Sequence, residues 1–240
     1  MRKALVALAV LAAIAIAAAW LAFNYLDVIV KVALEHWGPD VAGVSVKVDE
    51  VQISPQDGRG RITGLEIGNP PGFAAPRAAR FGEIRVALDP ATVTSDVIVV
   101  RALVIEAPQL AYERGDKSTN LDVIQKSIEA YAKRSGSGGT KATVGPGVKR
   151  KFIVERLEIR KGRVTMTSRS LRGQGVGFDL PDMVLRDVGK REGGVTASQV
   201  AALVASTLQQ KIALRVLTNV EALRRGGVEG AVDALKGLLK

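Results

Sequence analysis

The chain contains no cysteine and only one histidine, His36. The absence of thiols excludes disulfide frameworks, cysteine nucleophiles, cysteine-ligated zinc and iron–sulfur clusters. A single histidine argues against multi-histidine metal sites and Ser-His-Asp catalysis. Aromatic residues make up 4% of the chain, which is few for the stacking platforms that bind single-stranded nucleic acids.

Enzyme signatures are also missing from the sequence. It contains no G-x-S-x-G, H-E-x-x-H or P-loop motif. Gly58-Arg59-Gly60 resembles a fragment of a phosphate loop, but it lies in a predicted hairpin and opens no helix. Asp49 and Glu50 are neighbours on a predicted strand, so their carboxylates point to opposite faces. We therefore predict a protein that is not an enzyme and needs no metal or cofactor.

The charge balance is strongly basic. The 240 residues include 34 Lys plus Arg and 24 Asp plus Glu, for a formal net charge of +10. Nucleic acid is the usual partner for such a chain, but the low aromatic content and the apolar N-terminus argue against it. Two interpretations stay open, namely attraction to anionic headgroups or acidic envelope polymers, and a generally solvated basic surface.

The N-terminal segment predicts a membrane anchor. Ala4 to Leu26 carries no charge, and a helix of this length spans roughly 35 Å, enough to cross a hydrocarbon core of about 30 Å. Arg2 and Lys3 precede it, which places the N-terminus in the cytoplasm. The predicted span includes the four positions Ala4, Leu11, Trp20 and Leu26.

A cleaved signal peptide is the alternative interpretation. Ala17-Ala18-Ala19 fits a cleavage site and would leave a mature N-terminus at Trp20. Against cleavage, the apolar run continues to Leu26. The helical pattern also continues beyond it, because a polar stripe recurs at every fourth position and Gly38-Pro39 is predicted to stop the helix. The stripe consists of Asp27, Lys31 and Glu35. We therefore predict an anchor with a short extension over residues 1–38.

Residues 39–194 change to the period of β-strands. Val44 to Val48 and Ile84 to Leu88 alternate apolar and polar side chains, and residues 51–67 predict a hairpin. Val97 to Ile105 is a long β-branched run that predicts either cover on both faces or a central position in the sheet. Pro108 is expected to end it, with Leu110 to Tyr112 as a short continuation at the edge.

A helix is inserted in this β-rich region. The apolar spacing predicts it over 120–134, with Thr119 or Asn120 as its cap. A flexible loop is predicted over 135–147, and strands resume at Lys151, with a tight turn at Lys161-Gly162. The fold class is therefore α+β, with a mostly antiparallel sheet behind an N-terminal transmembrane helix.

Residues 195–240 predict C-terminal amphipathic helices. Thr196 and Gln199 have the spacing of a capping box, and the apolar stripe that follows continues to about residue 224. A shorter helix is predicted from Val232 to Leu239. These helices either cover the sheet or serve as a basic amphipathic element for a membrane or a partner.

Two apolar runs are candidates for lipid contact. The runs are Val97 to Ile105 and Ile153 to Ile159. They would line the sheet either as ordinary core beneath the C-terminal helices or as an open groove for acyl chains, and both arrangements require the same residues. The candidate lipid-facing residues are Val97, Val99, Leu103, Ile105, Ile153, Leu157 and Ile159.

The order of several short motifs resembles a known family. The motifs are residues 60–73 (GRITGLEIGNPPGF), Phe81 to Val86, Ile105 to Pro108, Thr119 to Leu121, and the stretch 180–196. The first four resemble the N-terminal module of the AsmA family of bacterial envelope proteins, and the stretch 180–196 resembles the later part of short members of that family. The resemblance covers about 60% of the chain.

This resemblance implies an inner-membrane anchor and a periplasmic β-rich domain. The larger family is similar to chorein-type lipid-transfer proteins, in which a curved sheet presents an apolar groove. About nine strands at ~4.8 Å spacing stack to only about 40 Å, so this chain cannot form a long bridge alone. We expect a lipid-binding protein of envelope lipid homeostasis. The alternative is a scaffold that docks another envelope protein and has no lipid ligand.

Overall fold

The computed structural model describes residues 25–115, 117–136, 150–168 and 176–225. Within these ranges the chain is α+β, with three α-helices and a nine-stranded open sheet. In chain order the elements are α1 (Leu26–Ala42), β1 (Val46–Lys47), β2 (Glu50–Ser54), β3 (Arg59–Ile67), β4 (Ala79–Leu88), a 3₁₀ turn (Pro90–Thr92), β5 (Val97–Arg114), α2 (Asn120–Gly136), β6 (Lys151–Arg160), β7 (Arg163–Ser168), β8 (Val176–Asp179), β9 (Met183–Val188) and α3 (Ala197–Arg225).

Strand β5 is the centre of the sheet. The main strand order is β1-β3-β4-β5-β6-β9, with β2 on β3 and β8 on β7. Most pairs are antiparallel, as predicted, and β2 and β3 form the predicted hairpin. However, β5 pairs in parallel with both β6 and β7, so the sheet is mixed. Period-two patterning does not reveal strand direction, which is why the parallel pairs were not predicted.

The prediction that Pro108 ends the central strand is wrong. β5 continues through it to Arg114, and its partner changes there from β6 to β7. Ala107, just before the proline, has a left-handed φ of 50°. Ile105 and Leu110 are both buried although five positions apart. Strict alternation would put them on opposite faces, so the left-handed residue resets the alternation.

The predicted turn at Lys161-Gly162 is also wrong. A hairpin would make β6 and β7 antiparallel neighbours, whereas both pair with β5 in one continuous register. Lys161 has a φ of 52° and lies beside the irregularity of β5. Here too the alternation is reset, because the buried apolar residues Leu157 and Ile159 have odd numbers and the buried Val164 has an even number. Lys-Gly is typical of turns, but here it is an irregularity between β6 and β7, which follow each other along the same side of β5.

The helix α1 extends beyond its predicted end. Pro39 lies inside it, and the helix ends after Ala42 with Gly43 in a left-handed conformation. The Gly43 N–H donates to the Pro39 carbonyl at 2.8 Å. Proline removes a single backbone donor, and one further turn tolerates that loss when a glycine cap follows.

The polar stripe of α1 faces the edge of β2. The carboxylates of Asp27 and Glu35 accept from the backbone N–H groups of Ile53 at 2.7 Å and Val48 at 3.0 Å. Lys31 Nζ donates to the Asp49 carbonyl at 2.9 Å. These side chains satisfy edge groups that a neighbouring strand would otherwise pair. α1 is therefore fixed to the sheet.

Both other helices begin at the predicted caps. Thr119 and Asp122 exchange side chain to backbone hydrogen bonds at 3.1 and 2.8 Å at the start of α2. Thr196 and Gln199 do the same at 3.2 and 2.7 Å before α3. These reciprocal bonds satisfy backbone donors that a helix start leaves unpaired. The predicted caps are confirmed.

The core lies between α3 and one face of the sheet, which we call the covered face. Leu208 and Ile212 of α3 belong to the same cluster as Val154, Leu157 and Ile159 of β6. Leu157 and Ile212 are fully buried. Side chains of alternate register point to the other side, which we call the open face.

Several predictions fall on residues outside the described ranges. These are the membrane positions Ala4, Leu11 and Trp20, most of the loop 135–147, and the helix from Val232. Leu26 is described and is the first residue of α1. None of the described helices combines the length and the apolar character needed to span a membrane.

Asp27→Ala is expected to destabilise the chain by about 1–3 kcal/mol, because the half-buried Ile53 N–H loses its acceptor. In a chain of this size that corresponds to a fall in Tm of several degrees. The control is Asp40→Ala, an exposed aspartate of the same helix. Thermal unfolding of the two full-length variants in detergent checks it, and equal Tm values would contradict the bonding of α1 to β2.

Candidate functional site

The structure divides the candidate lipid-facing residues between the two faces. Ile105, Leu157 and Ile159 are at most 4% exposed and lie in the core beneath α3, and Leu103 packs against the same cluster. This is the ordinary-core interpretation that the sequence left open. The other three residues lie on the open face and are half-buried, because β4 and β5 shift register at Arg101 and the strand alternation is reset there. They are Val97, Val99 and Ile153.

An aliphatic strip therefore runs along β5 on the open face. It consists of Val97, Val99, Ala102 and Val104, all half-buried. Ile153 pairs beside Val99 in the register of β6. On β9, Val184 lies opposite Glu158 on this face and is 50% exposed. The open face thus offers apolar side chains that α3 does not cover.

Charged side chains border the strip on the β3–β4 side. Arg61 Nε lies 3.3 Å from Glu83, and Glu83 also pairs with Arg85. Arg85 lies 3.7 Å from Glu106, which Lys161 Nζ contacts at 2.8 Å. The four strand lines are thus joined by a ladder of alternating charge. Cross-strand opposite charges stabilise a sheet modestly and keep each group oriented.

A second charged group lies on β6. The Glu158 carboxylate is 3% exposed as a residue and is held between Arg156 and Arg160. Two further arginines on this face, Arg59 and Arg186, are exposed and make no ion pair within the described residues. Cations therefore exceed carboxylates along the strip, which favours an anionic partner.

A shallow groove of about 560 Å³ lies at the β2–β5 end of the open face. Its floor includes Ala87, Ala102 and Val104, and three arginines stand around it. The arginines are Arg59, Arg61 and Arg85. An apolar floor with a cationic rim can accept an acyl chain and an anionic headgroup together.

Two residues of the quoted motifs, Asn69 and Asn120, meet in a separate polar network. Glu113 accepts from the backbone N–H groups of Ala74 at 2.7 Å and Ala75 at 2.9 Å, and from Asn69 Nδ2 at 3.2 Å. Asn120 Nδ2 donates to Asn69 Oδ1 at 2.9 Å. Asn69 and Asn120 belong to the quoted motifs, so this part of the resemblance corresponds to one buried structural lock.

Sequence analysis missed Glu113 and Glu158. Both are charged residues on strands, for which a solvated position is the ordinary expectation. Glu158 stands between Arg156 and Arg160 at every second position, and that spacing is a signal that could have indicated a same-face triplet. Glu113 has no local signal, because its partners are 38 to 44 residues away.

Within the described ranges no three carboxylate or histidine side chains cluster in a way that could hold a metal ion. His36 packs edge to face on Trp37, with ring centroids 5.7 Å apart. Asp49 is exposed and forms an ion pair with Arg80 at 2.6 Å.

The ladder perturbs one carboxylate. The hydrogen bond from Lys161 lowers the pKa of Glu106 below its ordinary value of 4.5, and the charges of Lys161, Arg85 and Arg160 act in the same direction. A lowered pKa means that the surroundings of Glu106 favour its deprotonated, charged form. Glu106 is thus held charged as part of the ladder.

Comparison with models of protein families finds no match, and comparison with curated proteins finds none either. The AsmA-like resemblance therefore stays a prediction.

Lys161→Gln is expected to lower the Tm most at neutral pH. A lowered carboxyl pKa stabilises the fold above the unfolded-state value of 4.5, and this contribution is lost as pH falls through the folded-state pKa. The Tm difference from the parent chain should therefore shrink in acid. Lys117→Gln, at an exposed position, is the control. A difference that does not change with pH would refute the role of the ladder.

Glu113→Ala is expected to lower the free energy of unfolding by about 2–4 kcal/mol, since three donors lose a charged, buried acceptor. Glu192→Ala removes an exposed carboxylate and should be nearly neutral. Thermal unfolding of both full-length variants measures the contrast. A Glu113 variant as stable as the Glu192 variant would show that the lock contributes nothing.

Proposed function

We propose that this chain is a non-enzymatic, AsmA-type envelope protein that binds membrane lipid on the open face of its sheet. It would be held in the bacterial inner membrane by the uncharged segment from Ala4 to Leu26, with the α+β domain in the periplasm. The observation that carries the proposal is the half-buried aliphatic strip bordered by arginines. The proposal of a membrane anchor rests on the uncharged sequence from Ala4 to Leu26, and the proposal of an AsmA-type protein rests on the order of the motifs.

The dimensions of the strip suit an acyl chain. From Val97 to Val104 it covers seven residue steps, or about 23 Å at ~3.3 Å per step. The hydrocarbon of one bilayer leaflet is about 15 Å deep, half of a core of about 30 Å. An extended chain of that length can therefore lie along β5. Ile153 and Val184 widen the contact on the side of β6 and β9.

The charges around the strip suit an anionic headgroup. Arg59 makes no ion pair within the described residues and stands at the groove, so it can bind a phosphate without breaking a contact. Arg61 and Arg85 share Glu83 and bring further positive charge to the same rim. Guanidinium groups bind phosphate in a fork geometry that lysine lacks.

The covered face is a poorer candidate for lipid contact. Leu157 and Ile159 are almost completely buried against α3, so lipid could reach them only if that helix left the sheet. The proposed lipid surface therefore keeps Val97, Val99 and Ile153 of the residues predicted from sequence and adds Ala102, Val104 and Val184.

The arrangement supports binding more than catalysis. The carboxylates of the open face are engaged with cations, Glu83 with Arg61 and Arg85, and Glu158 with Arg156 and Arg160. A general acid at neutral pH needs a raised pKa, whereas the pKa of Glu106 is lowered. We therefore retain the prediction that the protein is not an enzyme.

A photo-reactive residue placed on the strip tests the proposal. Benzoylphenylalanine at Val99 in the full-length chain, irradiated in living bacteria, should give an adduct with the mass of a phospholipid. The control is the same residue at Val93, which is 40% exposed but lies just after the 3₁₀ turn. Val93 should give little or no lipid adduct.

Two outcomes would overturn the proposal. Equal lipid adducts at Val99 and Val93 would mean that contact is nonspecific. A protein adduct at Val99 without lipid would favour the alternative, in which the open face docks another envelope protein.

A further inference from the structure

The helix α1 is apolar on a side that nothing in the described structure covers. Tyr25, Val28, Ile29 and Val32 are 55%, 56%, 49% and 58% exposed. They recur at i, i+3, i+4 and i+7, which is one face of a helix, and the stripe they form is about 10 Å long. We call it the outer stripe. Single exposed apolar residues are ordinary, but a contiguous stripe indicates a contact surface.

The outer stripe cannot turn inward to hide from water. Asp27 bonds Ile53 of β2, and Lys31 and Glu35 bond Asp49 and Val48 between β1 and β2, so the rotation of α1 about its axis is fixed. The inner side of the helix is apolar as well, and Leu26, Val30 and Leu34 are half-buried there. A helix with apolar residues on two sides needs a second apolar environment.

The sequence that precedes the stripe indicates which environment this is. The uncharged run that begins at Ala4 ends at Leu26, so the outer stripe starts where that run stops. Tyr25, with φ of −112° and ψ of 18°, lies outside the helical region, and α1 begins at the next residue. Tyrosine is also enriched at the membrane–water interface.

We infer that α1 lies on the bilayer surface with the outer stripe immersed among the lipid headgroups and upper acyl chains. The occupant is the lipid bilayer itself, because the stripe is continuous with the segment proposed to span it. Apolar residues of such a helix are buried about 5–10 Å below the surface. Since α1 is bonded to β2, this contact would hold the whole sheet in one orientation on the membrane. This inference rests on the proposed anchor.

Single cysteines test this inference cleanly, because the chain has none of its own. Val28→Cys and Val32→Cys, each in the full-length chain, are labelled with a polarity-sensitive fluorophore. The proteins are reconstituted in vesicles of phosphatidylethanolamine and phosphatidylglycerol. The emission of both labels should be shifted to shorter wavelength. Their fluorescence should be quenched by lipids that carry a spin label near the headgroup and only weakly by iodide in the aqueous phase. Val93→Cys, exposed elsewhere, should show the opposite pattern.

A fourth variant, Leu11→Cys, reports on the anchor separately. The quencher for Leu11 is a lipid that carries its spin label deep in the acyl chain. If the Leu11 label is quenched by this lipid while the labels at Val28 and Val32 are quenched by iodide, the interfacial contact is wrong and the anchor stands. If Val28 and Val32 resist iodide but are not quenched by lipid, a protein or a second copy covers the stripe and the inference is also wrong. If Leu11 is not quenched by lipid, the anchor fails, and the labels on α1 still decide whether the stripe contacts lipid.

Discussion

The packing of α3 on one face of the sheet determines what the other face can do. Leu208 and Ile212 seal the covered face and take Leu157 and Ile159 into the core. Side chains alternate along a strand, so sealing one register leaves the neighbouring register outside. That register holds Val99 and the rest of the strip. An apolar register left outside the core is the physical basis for proposing a ligand.

Much of the fold could be predicted from local pattern. The capping box at Thr196, a cap at Thr119 and the β2–β3 hairpin all follow from short-range spacing, and so does one of the two positions expected for β5, the central one. What failed depends on contacts between distant residues. Pro108 is tolerated because β4 pairs with β5 on one side and β6 and β7 pair with it on the other, which no local propensity records.

The candidate site was predicted only in part, for a similar reason. A continuous apolar run does not reveal which of its residues share a face once the alternation is reset, as it is at Arg101, the extra residue where β4 and β5 shift register. Val99 and Leu157 were therefore grouped together although they lie on opposite faces. The charged ladder was missed because its members come from four separate strand lines, and only the register brings Glu83 and Glu106 side by side.

The two apolar surfaces fit one arrangement. The groove on the open face includes Asp27, the residue that fixes the first turn of α1 to β2. The outer stripe begins on that same turn. If α1 lies on the bilayer, the arginine-lined groove stands beside the membrane surface, where the headgroups are. The basic excess of the chain then has a defined place to act.

The most direct test compares the two faces in one sample. Methyl NMR of the full-length chain in lipid nanodiscs, titrated with a spin-labelled lysophospholipid, reports contact at every Val, Ile and Leu. The account predicts strong broadening at Val99, Val104 and Ile153, with Leu157 and Ile159 unaffected as internal controls. Two results would contradict a lipid site on the open face. One is broadening of Leu157 and Ile159 at lower lysophospholipid concentration than the strip, and the other is no broadening in either set.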